Sequence, residues 1–256
     1  MLSLIFLSFI QSVTEFLPIS SSGHLLLLSV QEELGRDILL HLGTLFAVLF
    51  YFREDVKEVL KGLLPKAKNR QLLAQLFVAT IPIVLVGLFL IKIDLVENFR
   101  NRISVAYASI IFGVLLWIAD NYFPAHQRLH HMNLKQAFLI GCAQVFSLIP
   151  GASRSGTTMT CARMLGLSRT DSARFSMLLS IPSILLAVSY ALWQGITGGL
   201  LLPSPLESIG AVGLTFFFGF FVINFLMVWV QKASYTIFAV YRILLGVGLL
   251  IYLSFV

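Results

Sequence analysis

The stretch QSVTEFLPISSSGH at residues 11–24 decides the fold, together with a second stretch, QVFSLIPGASRSGT, at residues 144–157. Both are polar segments inside long apolar runs. Gln11 and Gln144 are 133 residues apart, and so are the two Ser-Gly pairs that follow them, whereas the two prolines are 132 apart. Apolar membrane segments rarely carry Glu or Arg, and here one copy carries each. The pattern predicts a duplicated chain with one polar site between its halves.

The composition is that of an integral membrane protein. Apolar residues make up 58% of the chain and charged residues 12%, where a soluble domain has about a quarter charged. The net charge of +6 is therefore interpreted as basic cytoplasmic loops, and no nucleic-acid partner is expected. Cys142 and Cys161 lie in apolar surroundings without metal-ligand spacing, so we interpret them as small buried residues.

Six apolar stretches are long enough to cross about 30 Å of hydrocarbon, which needs roughly 20 residues. The predicted spans are residues 37–52, 72–92, 103–120, 173–194, 207–231 and 235–255. Residues 53–62 alternate charged and apolar side chains at helical spacing. They predict an amphipathic helix that lies at the membrane interface.

Two further apolar segments, residues 2–30 and 134–167, are each broken near the middle by Pro, Ser and Gly. In lipid, a broken backbone survives only where protein or a water-filled cavity surrounds it. We therefore predict that each segment is a re-entrant helix–loop–helix hairpin.

The predicted fold class is an all-α polytopic membrane protein with an inverted-topology repeat. The chain forms a single membrane domain over residues 1–256, with repeat 1 at about 1–125 and repeat 2 at about 134–256. Each repeat consists of one hairpin and three transmembrane helices. Because three is odd, the second repeat is expected upside down, so that the two hairpin loops meet near the midplane.

The basic residues predict the orientation. If loop 53–71 is cytoplasmic, twelve basic residues lie on the cytoplasmic side and four outside, as the positive-inside rule requires. The cytoplasmic set is Arg53, Lys57, Lys61, Lys66, Lys68, Arg70, Arg128, Lys135, Arg163, Arg169, Arg174 and Lys232, and the outer set is Arg36, Lys92, Arg100 and Arg102. Both termini are then outside, and Arg154 and Arg242 are left at membrane depth.

Glu15 is the one acidic residue that the predicted spans place well inside the membrane. A carboxylate at that depth costs about 2.5–3.5 kcal/mol on insertion scales, so it needs a partner. Gln11 precedes it by one helical turn, so an amide and a carboxylate face one point. The alternative is that Glu15 is a protonated or paired residue of helix packing.

The loop PGASRSG at residues 150–156 indicates a phosphate-binding site. It precedes a helix, whose free N–H groups favour anions, and Arg154 adds a planar fork suited to phosphate oxygens. The alternative is an intramembrane salt bridge between Arg154 and Glu15 alone. Both can hold if a resting pair opens when substrate binds. The predicted substrate-binding residues are Ser22, Gly151, Ser153, Arg154, Ser155, Gly156 and Thr157.

Ser21 and His24 are three residues apart, on one face of the predicted helix. Histidine is the usual general acid or base, and a Ser–His pair beside an anion site suggests nucleophilic or acid/base phosphoryl chemistry. Helix capping by the serines is the alternative. His41 is interpreted as a packing or hydrogen-bonding residue, and Arg242 as a side chain that snorkels or pairs with a loop carbonyl. The predicted catalytic residues are Glu15, Ser21, His24 and Arg154.

The two stretches together resemble the undecaprenyl-diphosphate phosphatases, the bacitracin-resistance membrane phosphatases of bacteria. That family carries a Glu/Gln-x-x-x-Glu element running into Phe-Leu-Pro-x-Ser-Ser-x-Gly-His, and a Pro-Gly-x-Ser-Arg-Ser-Gly loop. Residues 11–24 and 150–156 match these motifs, and the resemblance covers the whole chain. It implies hydrolysis of undecaprenyl diphosphate to the monophosphate in the bacterial cytoplasmic (inner) membrane, which recycles the lipid carrier of cell-wall synthesis.

The resemblance also implies roles for Glu15, Ser21, His24 and Arg154, and a divalent cation, Mg²⁺ or Ca²⁺, near the Glu-containing element. Glu15 and Gln11 are its predicted ligands. Some members carry Glu where this chain has Gln11. An amide can bind a metal or orient a water but cannot act as a base, so a mechanism with two carboxylates there is not supported by this sequence.

The expected partners are the lipid diphosphate substrate and the surrounding membrane lipids, and a homodimer is left open. The alternative function is a lipid-phosphate transporter or flippase with the same inverted-repeat architecture. The Ser–His–Glu–Arg set argues against it, because transport alone does not require these residues.

Overall fold

The computed structural model describes residues 2–21, 24, 34–64, 70–92, 101–198 and 203–255, and that part of the chain is helical, with no strand. Its α-helices are α1 (Leu2–Phe16), α2 (Leu34–Tyr51), α3 (Arg53–Gly62), α4 (Gln71–Lys92), α5 (Arg102–Tyr122), α6 (Leu134–Val145), α7 (Arg154–Met164), α8 (Arg169–Gly198), α9 (Pro205–Lys232) and α10 (Thr236–Ser254).

The prediction of six long apolar helices is confirmed. Within the described residues, α2, α4, α5, α8, α9 and α10 are long and apolar enough to cross a membrane. The largest difference is in α8, which extends the predicted span 173–194 by four residues at each end. Its early start has a local cause, since the Ser168 hydroxyl accepts a hydrogen bond from the Asp171 N–H at 3.0 Å and caps the helix. The amphipathic stretch forms α3 over the predicted residues.

The predicted interruption of residues 134–167 is confirmed. Helix α6 begins with a capping box between Asn133 and Gln136. It continues into a 3₁₀ turn at Phe146–Leu148, and α7 starts after the loop. In the first segment, α1 ends at Phe16, irregular backbone follows, and Ser21 is helical again. Most of the second arm of the first hairpin lies outside the described residues, so that arm stays a prediction.

Ser20 and Ser153 have the same unusual backbone conformation. Their φ angles are +80° and +68°, and each residue directly precedes the helix that follows its loop. This left-handed region is sparsely populated by residues other than glycine. The two serines are 133 residues apart, so the register seen in the sequence recurs in the backbone of the two loops.

Helices α5 and α10 pack reciprocally. A Cβ added to Gly113 would lie 3.1 Å from the Ala239 oxygen, and one added to Gly246 would lie 2.6 Å from the Ala106 oxygen. Both the two glycines and the two alanines are 133 residues apart. A duplicated chain predicts such reciprocity for two matched helices. The repeat boundaries and the inverted orientation of the halves stay predictions.

Small residues bring the broken helices close to their neighbours. The Ser12 hydroxyl in α1 donates to the Thr215 carbonyl of α9 at 3.1 Å. In the second hairpin, Gly141 of α6 leaves no room for a Cβ beside the Ala79 backbone of α4. Such close approach is typical of small residues between membrane helices. It packs α1 tightly against α9, and α6 tightly against α4.

Arg242 joins the two loops. Its side chain is fully buried, and its guanidinium donates to the Pro18 oxygen at 3.3 Å, the Gly151 oxygen at 2.9 Å and the Ala152 oxygen at 2.8 Å. The interpretation as a partner of loop carbonyls is confirmed, and the snorkelling alternative is wrong. Because Pro18 belongs to the first loop and the other two residues to the second, this side chain from α10 holds both loops in place.

Three arginines that the sequence placed in cytoplasmic loops lie in helices and are paired. Arg163 and Arg169 donate to one oxygen of the buried Asp120 carboxylate, at 3.3 and 2.6 Å. Arg174 pairs with Asp55 of α3. The assignment of these three arginines to loops was wrong. A distant aspartate forms an ion pair with each of them inside a helix, and the charge of an arginine does not reveal such a partner.

Candidate active site

Glu15 and Arg154 form an ion pair where the two broken segments meet. Glu15 lies in the last turn of α1, and Arg154 is the first residue of α7. Arg154 Nη2 donates to Glu15 Oε1 at 2.9 Å, and the two side chains are only 11% and 10% exposed. The partner that the depth of Glu15 requires is therefore Arg154.

The guanidinium of Arg154 is held at a second point. Its Nη1 atom donates to the Ser176 carbonyl of α8 at 2.9 Å. The Thr158 hydroxyl donates to the Arg154 carbonyl at 2.9 Å and lies 2.7 Å from the Ser176 hydroxyl. These contacts orient the planar fork, so that the edge facing Glu15 can also face an anion.

Ser21 contacts Glu15 rather than His24. The Ser21 hydroxyl donates to Glu15 Oε2 at 3.5 Å, a long hydrogen bond. His24 Nδ1 lies 2.6 Å from the Ser20 carbonyl oxygen, and Nε2 lies 2.6 Å from the Tyr241 hydroxyl. Both ring nitrogens of His24 therefore have other partners. The predicted Ser21–His24 pair does not form, because His24 binds the carbonyl of Ser20, four residues before it in the same helical turn.

The residues predicted to bind phosphate in the second loop make hydrogen bonds within that loop and, through Ser155, to the first loop. The Ser153 hydroxyl accepts from the Gly156 N–H at 3.1 Å, and the Ser155 hydroxyl donates to the Leu17 carbonyl at 3.0 Å. Thr157 donates its hydroxyl to the Arg154 carbonyl at 3.0 Å.

Two glycines of this loop contact or adjoin Arg242, and Gly156 makes room for its guanidinium. A Cβ on Gly156 would lie 2.5 Å from a guanidinium nitrogen of Arg242, and the Gly151 carbonyl accepts from the same group. Gly151 also has a φ of +94°, which favours glycine. Ser22, the remaining predicted member of the set, lies outside the described residues.

A second set of hydrogen-bonded polar residues adjoins the site. The sequence analysis did not predict that Asp37, His41 and Gln11 contact one another. His41 Nδ1 lies 2.9 Å from the Asp37 carbonyl oxygen and 3.2 Å from its carboxylate. His41 Nε2 lies 3.3 Å from Gln11 Nε2. The hydrogen-bonding interpretation of His41 is confirmed. The signal was the spacing of Asp37 and His41, four residues apart in one helix.

The donor set at Gln11 and Glu15 fits a hard cation. Gln11 is fully buried, and its Oε1 atom has no hydrogen-bond partner among the described residues. Carboxylate and amide oxygens are ligands that Ca²⁺ and Mg²⁺ accept, and Mg²⁺ usually keeps several waters. The described residues contain no group of three or more His, Cys, Asp or Glu that could hold a metal.

These features define a polytopic α-helical membrane protein whose interior carries a buried acid–guanidinium pair between two interrupted helices. The particular family follows from comparison with known proteins. The chain matches the family described as "Bacitracin resistance protein BacA" over residues 4–248 and belongs to it.

Curated relatives cover nearly the whole chain. It is 41% identical to an undecaprenyl-diphosphatase of Maricaulis maris, over 97% of both chains. It is 41% identical to an undecaprenyl-diphosphatase of Alteromonas mediterranea, over 96% of both, and 39% identical to one of Teredinibacter turnerae, over 98% of both. The family resemblance read from the two stretches is confirmed.

Proposed function

We propose that this protein is an integral membrane phosphatase that hydrolyses undecaprenyl diphosphate to undecaprenyl phosphate and phosphate. The reaction recycles the lipid carrier of cell-wall synthesis. The observation that carries the proposal is the Glu15–Arg154 pair at 2.9 Å, with the Ser21 hydroxyl on the second oxygen of the same carboxylate. Family membership and the names of the relatives support the same substrate.

Arg154 binds the diphosphate. Its Nη1 atom stays on the Ser176 carbonyl while Nη2 exchanges the Glu15 carboxylate for a phosphate oxygen. Planar guanidinium geometry suits this exchange, since carboxylate and phosphate oxygens present similar acceptor pairs. Binding therefore releases Glu15 from its ion pair at the moment when the carboxylate is needed beside the substrate.

The released carboxylate can accept a proton from the attacking group. Either the Ser21 hydroxyl or a water attacks the terminal phosphorus, and the bond from that phosphorus to the bridging oxygen breaks. Undecaprenyl phosphate leaves with the bridging oxygen. If Ser21 attacks, water then cleaves the phosphoserine and releases phosphate. Glu15 is better placed than His24 to take the first proton, because both nitrogens of His24 have other partners.

His24 contributes by orienting the start of the second arm. The Ser20 carbonyl can only accept, so Nδ1 donates and Nε2 accepts from the Tyr241 hydroxyl. This arrangement fixes the tautomer of His24 and ties it to α10.

Mg²⁺ or Ca²⁺ at Glu15 and Gln11 is part of the proposal. A bound divalent cation would offset the negative charge on the phosphoryl oxygens. The buried Gln11 Oε1 atom supports this assignment, because a buried acceptor without a partner costs free energy unless a ligand, water or cation satisfies it.

The proposed setting is the bacterial cytoplasmic membrane, with both termini outside, the first hairpin entering from the outside and membrane lipids around the apolar helices. Outward-facing side chains such as Phe77, Leu88 and Phe221 are more than half exposed, which suits contact with lipid. A homodimer stays a prediction, which the mass of the purified protein in detergent tests.

Phosphate release by the purified protein in detergent tests the proposed function. Undecaprenyl diphosphate is the substrate, and the Arg154→Ala protein is the matched control. The proposal expects phosphate from the wild type and almost none from the variant. Release by neither protein, together with movement of the intact lipid across proteoliposome membranes, would favour the transporter alternative instead.

A further inference from the structure

Arg242 is a buried cation without an acidic partner. Its side chain in α10 is fully buried, and none of the ion pairs among the described residues includes it. By contrast, Arg154 pairs with Glu15. The buried Arg163 likewise pairs with Asp120. A guanidinium stays protonated in proteins, and a buried charge is normally offset by an opposite one. The charge of Arg242 is therefore left unbalanced by the described part of the chain.

The hydrogen bonds of Arg242 orient the two loops but do not neutralise its charge. Its three acceptors are the carbonyl oxygens of Pro18, Gly151 and Ala152, and a carbonyl group is a dipole with no net charge. Its Nε atom is buried and has no hydrogen-bond partner among the described residues. Each carbonyl oxygen that faces the guanidinium is one that does not face a bound anion, which it would repel.

The guanidinium of Arg242 lies against the start of α7. A Cβ added to Gly156 would lie 2.5 Å from its Nη1 atom, and Gly156 comes two residues after Arg154, which is proposed to bind the diphosphate. The Ser153 hydroxyl, which caps α7, would lie 3.2 Å from the same Cβ. The positive charge of Arg242 is thus added at the end of α7 where the helix dipole already favours an anion.

The packing of α10 against α5 does not explain this charge. The position matched by the duplication, 133 residues before Arg242, is Ser109 of α5. Ser109 is also buried, so the same place in the first half holds a small neutral side chain. One turn further on, Gly113 and Gly246 make the close contacts between the two helices. The charge of Arg242 therefore points to a role beyond packing.

We propose that Arg242 is a positioning residue for the diphosphate, which binds the carbonyl ends of both loops and supplies a buried positive charge that the bound anion offsets. The inference rests on the proposed function and deepens it, because it names a second cation of the same site. Arg154 contacts the anion, whereas Arg242 acts on it through the loop. Arg154, Arg242 and Glu15 together carry one excess positive charge before substrate binds, so the substrate completes the charge balance.

Arg242→Lys and Arg242→Gln separate the charge from the loop contacts. Neither side chain can reproduce the planar fork on three carbonyl groups, but lysine keeps the charge. In phosphate release from undecaprenyl diphosphate, KM should be at least about tenfold higher for Arg242→Gln than for Arg242→Lys. Equal KM values would show that Arg242 only holds the loops and would overturn the proposal. Ser109→Ala is the matched control in the first half, and its KM should equal that of the wild type.

Thermal unfolding with inorganic pyrophosphate gives a readout that does not require hydrolysis. Without the anion, Arg242→Gln should unfold at a temperature no lower than Arg242→Lys, because an unbalanced buried charge costs free energy. Pyrophosphate should raise the unfolding temperature of the wild type and of Arg242→Lys, and that of Arg242→Gln much less. The wild type is the reference if Arg242→Lys does not fold.

Three results of the unfolding experiment would overturn the proposal. They are an equal rise with and without the charge, no rise in the wild type, and failure of Arg242→Gln to fold, which would make Arg242 a residue of the fold itself. A wild type that releases no phosphate from the lipid but shows the expected pattern with pyrophosphate would refute the proposed function. The role of Arg242 in binding an anion would then stand.

Discussion

Arg154 Nη2 lies 2.9 Å from Glu15 Oε1, although the two residues are 139 positions apart in the chain. Each comes from a different interrupted helix, so the pair forms only when both interruptions face each other. A buried charge that loses its partner is strongly destabilising. The same contact therefore stabilises the fold and places the carboxylate of Glu15 beside the guanidinium of Arg154, which are the proposed proton acceptor and the proposed diphosphate-binding group.

Glu15→Gln is expected to lower phosphate release by on the order of 10²–10⁴-fold, as for a lost general acid–base group. The amide cannot take the proton from Ser21 or water, and it is a weaker ligand for a cation than a carboxylate. The measurement is hydrolysis of undecaprenyl diphosphate over a Mg²⁺ titration. Hydrolysis with an unshifted Mg²⁺ dependence would make Glu15 a structural residue.

Ser21→Ala distinguishes a nucleophile from a cap. If Ser21 attacks phosphorus, activity falls by several orders of magnitude because the covalent route closes. If water attacks and Ser21 only donates a hydrogen bond, the loss is on the order of 10²–10³-fold. Loss of a helix cap costs mainly about 0.5–2 kcal/mol of stability. Phosphate release and thermal unfolding of the same preparation separate these cases.

The covalent route itself is tested by rapid quench. The wild-type protein is mixed with substrate labelled with ³²P in the terminal phosphate. We expect acid-stable label on the peptide that contains Ser21. A burst of phosphate with no label on the protein would rule this route out and leave water as the attacker.

The inverted repeat predicts that Leu64 and Gly198 lie on opposite sides of the membrane. Both positions are exposed, so a cysteine at either should react with a membrane-impermeant reagent. Single cysteines are placed at Leu64 or Gly198 in a background without Cys142 and Cys161. Labelling of both from the same side would contradict the inverted arrangement.

Asp120→Asn is expected to destabilise the fold. The side chain is fully buried, accepts from Arg163 and Arg169, and also accepts from the Tyr235 N–H at 2.8 Å. Removing one partner of a buried ionic group costs about 3–5 kcal/mol, so the unfolding temperature in detergent should fall markedly. Glu54→Gln is the control, since the Glu54 pair with Lys57 is at the surface and should contribute little. Equal unfolding temperatures for the two variants would contradict this account.

The helices were predictable from the sequence because hydropathy and length alone determine which segments can cross a membrane. The interruptions were predictable for a similar reason, since Pro18 and Pro150 lie in them. The pairing of Glu15 with Arg154 followed from the cost of two isolated charges at membrane depth. The helices and their interruptions depend on local sequence, and the ion pair depends on there being few charged residues at membrane depth.

Other contacts depend on where distant backbone lies. Arg242 binds the carbonyl of Pro18, 224 residues away, and no periodicity indicates such an acceptor. The ion pairs of Asp120 with Arg163 and Arg169 likewise join residues more than 40 positions apart, so no local pattern predicts them. The spacing of Ser21 and His24 predicted a pair, but it could not show that Glu15 and Tyr241 offer those side chains competing partners.

The most direct test of the central claim is phosphate release from undecaprenyl diphosphate by Arg154→Lys. Lysine keeps the charge, so the fold should survive. A single ammonium cannot hold the Ser176 carbonyl and a phosphate oxygen in the planar arrangement of the guanidinium. Lys232→Gln, at the end of α9, is the control and should hydrolyse the lipid like the wild type. We predict that Arg154→Lys loses at least about 100-fold in turnover, and turnover within about twofold of the wild type would contradict the account.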